Sequence, residues 1–152
     1  MHAAVGDLFK TSTFWSGVLG WTAASACKIV IDLRITGRID FRYLASLGGM
    51  PSAHSALVSA VATSVGLVEG FGSTIFVVSL AFAIVVMFDA STVRRATGLQ
   101  ARLLNQIVDE VYQEHHLSTQ RLKEILGHTR KEVFVGMLVG IAVAVIVNLL
   151  MK

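Results

Sequence analysis

Four stretches of this chain carry no charged side chain: Thr11 to Cys27, Ala53 to Val68, Phe71 to Phe88 and Val133 to Met151. Each is apolar all round rather than alternating, so spanning strands are excluded and helices are expected. At about 1.5 Å per residue the runs reach on the order of 24–29 Å, slightly short of a hydrocarbon core near 30 Å. The predicted fold class is therefore all-α: an integral membrane helical bundle of about four transmembrane helices. Composition agrees, with 54% apolar and 15% charged residues over 152 positions. A soluble domain carries about 25% charged residues. Disorder is excluded by the apolar content, and a disulfide scaffold by the single cysteine, Cys27. The length predicts one domain, residues 1–152.

Ala24-Ser25-Ala26-Cys27 has a faint lipoprotein-signal look. The position three before the cysteine is alanine, and the only preceding lysine, Lys10, is offset by Asp7. Cys27 is therefore expected to be a small apolar residue within a helix.

All of the 13 lysines and arginines except Lys10 and Lys152 fall between the first and second runs or between the third and fourth. A tight turn at Glu69-Gly70 joins the middle two runs and puts both basic loops on one side. The positive-inside rule places those loops in the cytoplasm and both termini outside. The net charge of +3 is explained by membrane topology. No aromatic-interleaved basic stripe suggests nucleic acid as a partner. The protein is expected in a bacterial inner membrane or an organelle membrane.

After the third run, Val93, Ala96, Gln100, Leu103, Ile107 and Val111 recur at helical spacing, with Leu99 and Leu104 beside them. This predicts a cytoplasmic amphipathic helical extension whose apolar stripe packs on a second subunit or lies on the membrane. His115-His116 is expected near its end, and Ser118 as the cap of a short helix running to Gly127. Adjacent histidines diverge on a helix and make a poor metal pair.

Four polar clusters gather at the cytoplasmic ends of the runs. They are Lys28, the segment Gly48-Gly49-Met50-Pro51-Ser52-Ala53-His54-Ser55, the segment Asp89 to Arg95, and Gly127-His128-Thr129-Arg130-Lys131-Glu132. Two glycine-containing turns each deliver a histidine to a helix start. Helix starts carry unpaired N–H groups and partial positive charge, which suits a phosphate. Two histidines suffice for phosphoryl transfer, one attacking phosphorus and one protonating the leaving oxygen. Each residue also has a plainer reading: Ser52 as a helix cap, Thr129 to Glu132 as a capping box, Arg94 and Arg95 as topology determinants.

Pro51-Ser52-Ala53-His54 resembles the P-S-G-H second motif of the type 2 phosphatidic acid phosphatase superfamily, which includes vanadium haloperoxidases. Gly127 to Val133 resembles the H-x-x-x-D core of its third motif. The longer strings GGMPSAHSALVSA, FDASTVRRATGLQARLLNQ and LKEILGHTRKEVFVGMLVG look like the divergent branch of that superfamily, over about residues 10–152. The resemblance implies a phosphatase of acid-phosphatase type, needing no metal or other cofactor, acting on a lipid phosphate or diphosphate. In it His128 is the nucleophile, Glu132 orients His128 where the family usually has aspartate, and His54 is the acid. Lys28 binds phosphate oxygens, with Ser52 and backbone amides beside it.

Three positions depart from the family pattern. Arg34 follows Lys28 one residue early and Ile35 replaces a proline; Ala53 replaces the motif glycine; and Leu122, between Arg121 and Lys123, stands where the third motif has arginine. Arg94 or Arg95 is the candidate substitute for that missing cation. These departures keep open a non-catalytic scaffold that binds anionic lipid in the same pocket, and Asp89 leaves a metal-dependent phosphotransferase as a third reading. The small surface buried by four short spans predicts a homo-oligomer.

Overall fold

The computed structural model describes residues 5–37, 49–112 and 127–152. Among them a short 3-10 helix, Val5–Lys10, leads into α1 (Ser12–Thr36). Then follow α2 (Ala53–Glu69), α3 (Thr74–Ser91), α4 (Val93–Tyr112) and α5 (Arg130–Leu150). Arg38, Arg42, Gly48, His115, His116, Ser118, Arg121, Leu122 and Lys123 lie outside the described residues. The all-α membrane bundle is borne out. The helices containing α1, α3 and α5 are long and apolar enough to cross a membrane. The fourth, α2, is apolar but has 17 residues.

Two boundaries differ from the reading of the charge-free runs. The first run stops at Cys27, yet α1 continues through Lys28, Asp32 and Arg34 and ends at Gly37, whose φ of 69° and N–H to the Leu33 carbonyl close the helix. Charge limits an apolar run but not a helix: lysine and arginine are good helix formers, and Lys28 is buried while Arg34 is exposed. The turn after α2 is also longer than Glu69-Gly70. Gly70 adopts φ 89°, and Ser73 caps α3 by accepting from Phe76 N–H. The first residues of the third run are thus turn, not helix.

Helix α2 sits centrally, packed against α1, α3 and α5. The contact surfaces are made of small residues, which is how helices associate where lipid removes any hydrophobic advantage. Gly136, Gly140 and Ala144 repeat every fourth residue of α5, all buried. A Cβ at Gly136 would overlap the Ser52 carbonyl oxygen, and one at Gly140 would overlap Ser59 Oγ and the Ala56 carbonyl oxygen. Gly17 and Gly20 of α1 play the same part against Val61 and Ala60, where a Cβ would stand 2.9 Å from each.

Helix α3 is the outlier. It touches α2 along its length but α5 only slightly, and most of its apolar side chains face outward. The expected amphipathic extension is present as α4, though not as a plain continuation. The ladder is interrupted at Thr92 (φ −121°, ψ −69°). There His128 N–H takes the Ala90 carbonyl at 3.1 Å, the acceptor that Arg94 N–H would use in an unbroken helix.

Candidate functional site

The C-terminal ends of α1 and α3 and the N-terminal ends of α2, α4 and α5 meet at one end of the bundle. Short backbone links fix their relation. Ser52 N–H donates to the Glu132 carbonyl at 3.0 Å, tying the start of α2 to the first turn of α5. The link from His128 N–H to Ala90 ties the entry of α5 to the end of α3. Gly127 is pressed so closely on the Arg94–Arg95 backbone that any Cβ would collide with it, so the residue before His128 has to be glycine.

Thr129 caps α5. Its side chain accepts from Glu132 N–H at 3.3 Å, and Glu132 Oε2 accepts from Thr129 N–H at 3.0 Å. The capping box is real, and it does more than close the helix. The same Oε2 lies 3.0 Å from His128 Nδ1. The cap thus holds the Glu132 carboxylate beside the His128 imidazole. With Nδ1 as the donor to Glu132, Nε2 is left with its lone pair.

His128 is 3% exposed. Burial holds its pKa below the ordinary histidine value, and the charges of Lys28 and Arg94 act in the same sense. The Glu132 hydrogen bond and charge oppose them but do not prevail. The buried imidazole is thus kept neutral, the form a nucleophile requires.

Lys28 is 6% exposed, and the Glu132 charge reaches it. Gly49, at φ 91°, lies over its side chain. His54, in the first turn of α2, is exposed, and the charges of Arg94, His128 and Lys28 all reach it. Arg94 Nε is held by Asp89 Oδ2 at 2.7 Å. The structure therefore brings together Lys28, His54, Arg94, His128 and Glu132.

Ser52 and Arg95 take different places. Ser52 is fully buried as the α2 cap, its Oγ accepting from Ser55 N–H at 3.4 Å and from the Ser55 hydroxyl at 2.9 Å. Its cap reading is observed directly. Arg94 and Arg95 are both exposed; the charge of Arg94 reaches both histidines. No cluster of three or more candidate metal ligands occurs among the described residues. Asp89, the residue that left a metal site open, is engaged with Arg94.

The sequence reading missed the pairing of Asp89 with Arg94 and the interhelical glycines. Both had a signal: opposite charges five residues apart around a helix break, and the G-x-x-x-G spacing of Gly136 and Gly140. It also missed a second polar cluster at the opposite end. There Asn148 donates to Ser64 Oγ at 2.9 Å and Ser16 Oγ at 3.4 Å, and accepts from Ser12 Oγ at 2.7 Å. A cavity of about 620 Å³ lies beside it, lined by Lys10, Glu69 and Lys152 among others, far from His128.

A model of the divergent PAP2 family matches residues 9–143. A Bacillus subtilis (strain 168) protein called an uncharacterized membrane protein, YuiD, is 38% identical over 134 residues, 81% of this chain and 85% of its own. No solved structure matches.

Proposed function

The chain belongs to the divergent PAP2 family, and on that premise we propose that it is a membrane-embedded phosphatase acting on a lipid phosphate or diphosphate through a phosphohistidine. The observation that carries the reading is the buried His128, bonded through Nδ1 to Glu132 at 3.0 Å, with the charges of Lys28 and Arg94 converging on it. His128 Nε2 attacks phosphorus, and the bond from phosphorus to the leaving oxygen breaks. His54 supplies the proton to that oxygen. Water then attacks the phosphohistidine, gives a proton back to His54 and restores His128. Glu132 stabilises the charge that the imidazole gains in the attack. Lys28 and Arg94 offset the negative charge developing on the phosphoryl oxygens. The pocket is proposed to open to the cytoplasm, on the basis of the basic loops at its end.

The test is phosphate release from a panel of lipid phosphates and diphosphates by the purified protein. His128→Ala is expected to lose on the order of 10³-fold or more in kcat. Activity retained in that variant overturns the mechanism. Turnover is expected to survive a chelator, since no step calls for a metal.

A second reading, an anionic-lipid binder without turnover, draws support from the motif-glycine position. Ala53 is buried there, immediately after a serine whose oxygen already accepts two hydrogen bonds. Saturable vanadate binding without turnover across the whole panel would favour it.

A further inference from the structure

The helical ladder is interrupted at Thr92 between α3 and α4, and α4 carries its large apolar residues on one side. Val93, Leu99, Leu103, Leu104 and Ile107 are each about half exposed. At 100° per residue they fall within an arc of about 140°. Gly98 and Asn105 lie on the opposite side of the helix, and both are buried. Arg94, Arg95 and Arg102, also off the apolar arc, are exposed, as the apolar residues are.

We propose that α4 is an in-plane membrane helix, seating its Val93–Leu99–Leu103–Leu104–Ile107 face at the acyl boundary of the leaflet onto which the His128 end opens. The lengths agree. Helix α3 has 18 residues, about 27 Å at 1.5 Å per residue, which spans nearly all of a hydrocarbon core of about 30 Å. Helix α4 therefore starts at the level of the headgroups. Its sequence fits that depth: little net apolarity, strong segregation of faces, and Arg94, Arg95 and Arg102 off the apolar arc. Those are the features of helices that lie in an interface rather than cross it, with cations placed to meet anionic headgroups. The bilayer is also continuous with the outward apolar face of α3, including Val85 and Phe88, just before the break. One consequence is local. The first turn of α4 carries Arg94, so the leaflet itself would fix the depth of a cation of the pocket. The inference does not depend on turnover.

Single cysteines at Leu99, Leu103 and Ile107, made in a Cys27→Ser chain and labelled with an environment-sensitive dye, test it in phosphatidylcholine–phosphatidylglycerol vesicles. The expected result is equal quenching of all three by brominated acyl chains and loss of quenching by aqueous iodide. Acyl-chain quenching that falls steadily from position 99 to 107 while iodide quenching rises means a helix projecting into water, and overturns the proposal. Protection from iodide without acyl-chain quenching, together with a Leu103→Cys disulfide dimer, means a second copy covers the face, and also overturns it. The unmodified protein gives a measurement independent of any variant. A phosphatidylcholine carrying a photoreactive acyl chain is expected to label the peptide containing residues 99–107; labelling confined to α1, α2, α3 and α5 is the contrary result.

Discussion

Both ends of the bundle bury polar side chains, and they do so in opposite ways. At one end Ser12, Thr13, Ser16, Ser64 and Asn148 form a neutral network across α1, α2 and α5. Asn148 uses both amide atoms, and its nitrogen also reaches the Ala144 carbonyl at 2.8 Å. The network is closed on itself. At the other end Glu132 is engaged by His128 and Thr129 and its charge reaches Lys28, while the charges of Arg94, His128 and Lys28 reach His54. Buried cations are costly unless paired. Lys28 is the buried cation at this end, and on the proposed function an incoming phosphoryl group meets its charge. The cavity of about 620 Å³ lies at the neutral end, whereas the proposed chemistry lies at the charged end.

If that contrast is right, substitutions at the two ends should fail differently. The largest expected effect after loss of His128 is at His54. His54→Gln should lower kcat by about 10²- to 10⁴-fold, the range for losing a general acid, with unfolding unchanged. The side chain is exposed and its helix is capped by Ser52, so folding does not call on it. A His54→Gln protein with full turnover would break the comparison, because the charged end would then lack its acid.

Asn148→Leu should do the reverse. Interhelical hydrogen bonds in membranes are worth about 0.6 kcal/mol each and reach about 1.7, so a destabilisation of about 1–2 kcal/mol is expected in a reversible unfolding assay. Phosphate release per folded molecule should be unchanged. A variant that is equally stable but inactive would show that the far end takes part in function.

The charge-free runs made the bundle and its spans legible, because apolar length is dictated by the bilayer itself. The histidines, Lys28 and Glu132 were legible because few charged residues occur near the spans, so each stands out. What stayed hidden depends on packing between elements distant in sequence. The length of α1 past Cys27 could not be read, since Lys28 looks like the end of a span until its burial is seen. The break at Thr92 was equally invisible. Nothing in α3 or α4 predicts that a backbone N–H from residue 128 will take the Ala90 carbonyl. The pairing of Arg94 with Asp89 across that break was missed as well.

The smallest expected effect is also the one that probes the charged end most finely. Burial, Lys28 and Arg94 lower the His128 pKa, and Glu132 raises it against them. The acidic limb of kcat/KM reports the free enzyme's nucleophile. It should therefore fall below the ordinary histidine value near 6.5. Glu132→Gln removes the group that pulls the pKa up, so the limb should move further toward acid even as kcat falls. A role confined to capping predicts little change in stability and no shift of the limb, since glutamine still serves a capping box. Stability carries the matching sign. The unfolded chain binds a proton on His128 below pH 6.5 that the folded chain refuses, so stability should decline as pH falls from about 6.5 and level off below the folded pKa. A limb above 6.5, or one that moves toward base in Glu132→Gln, would mean that the carboxylate does not act on His128 as the 3.0 Å hydrogen bond implies.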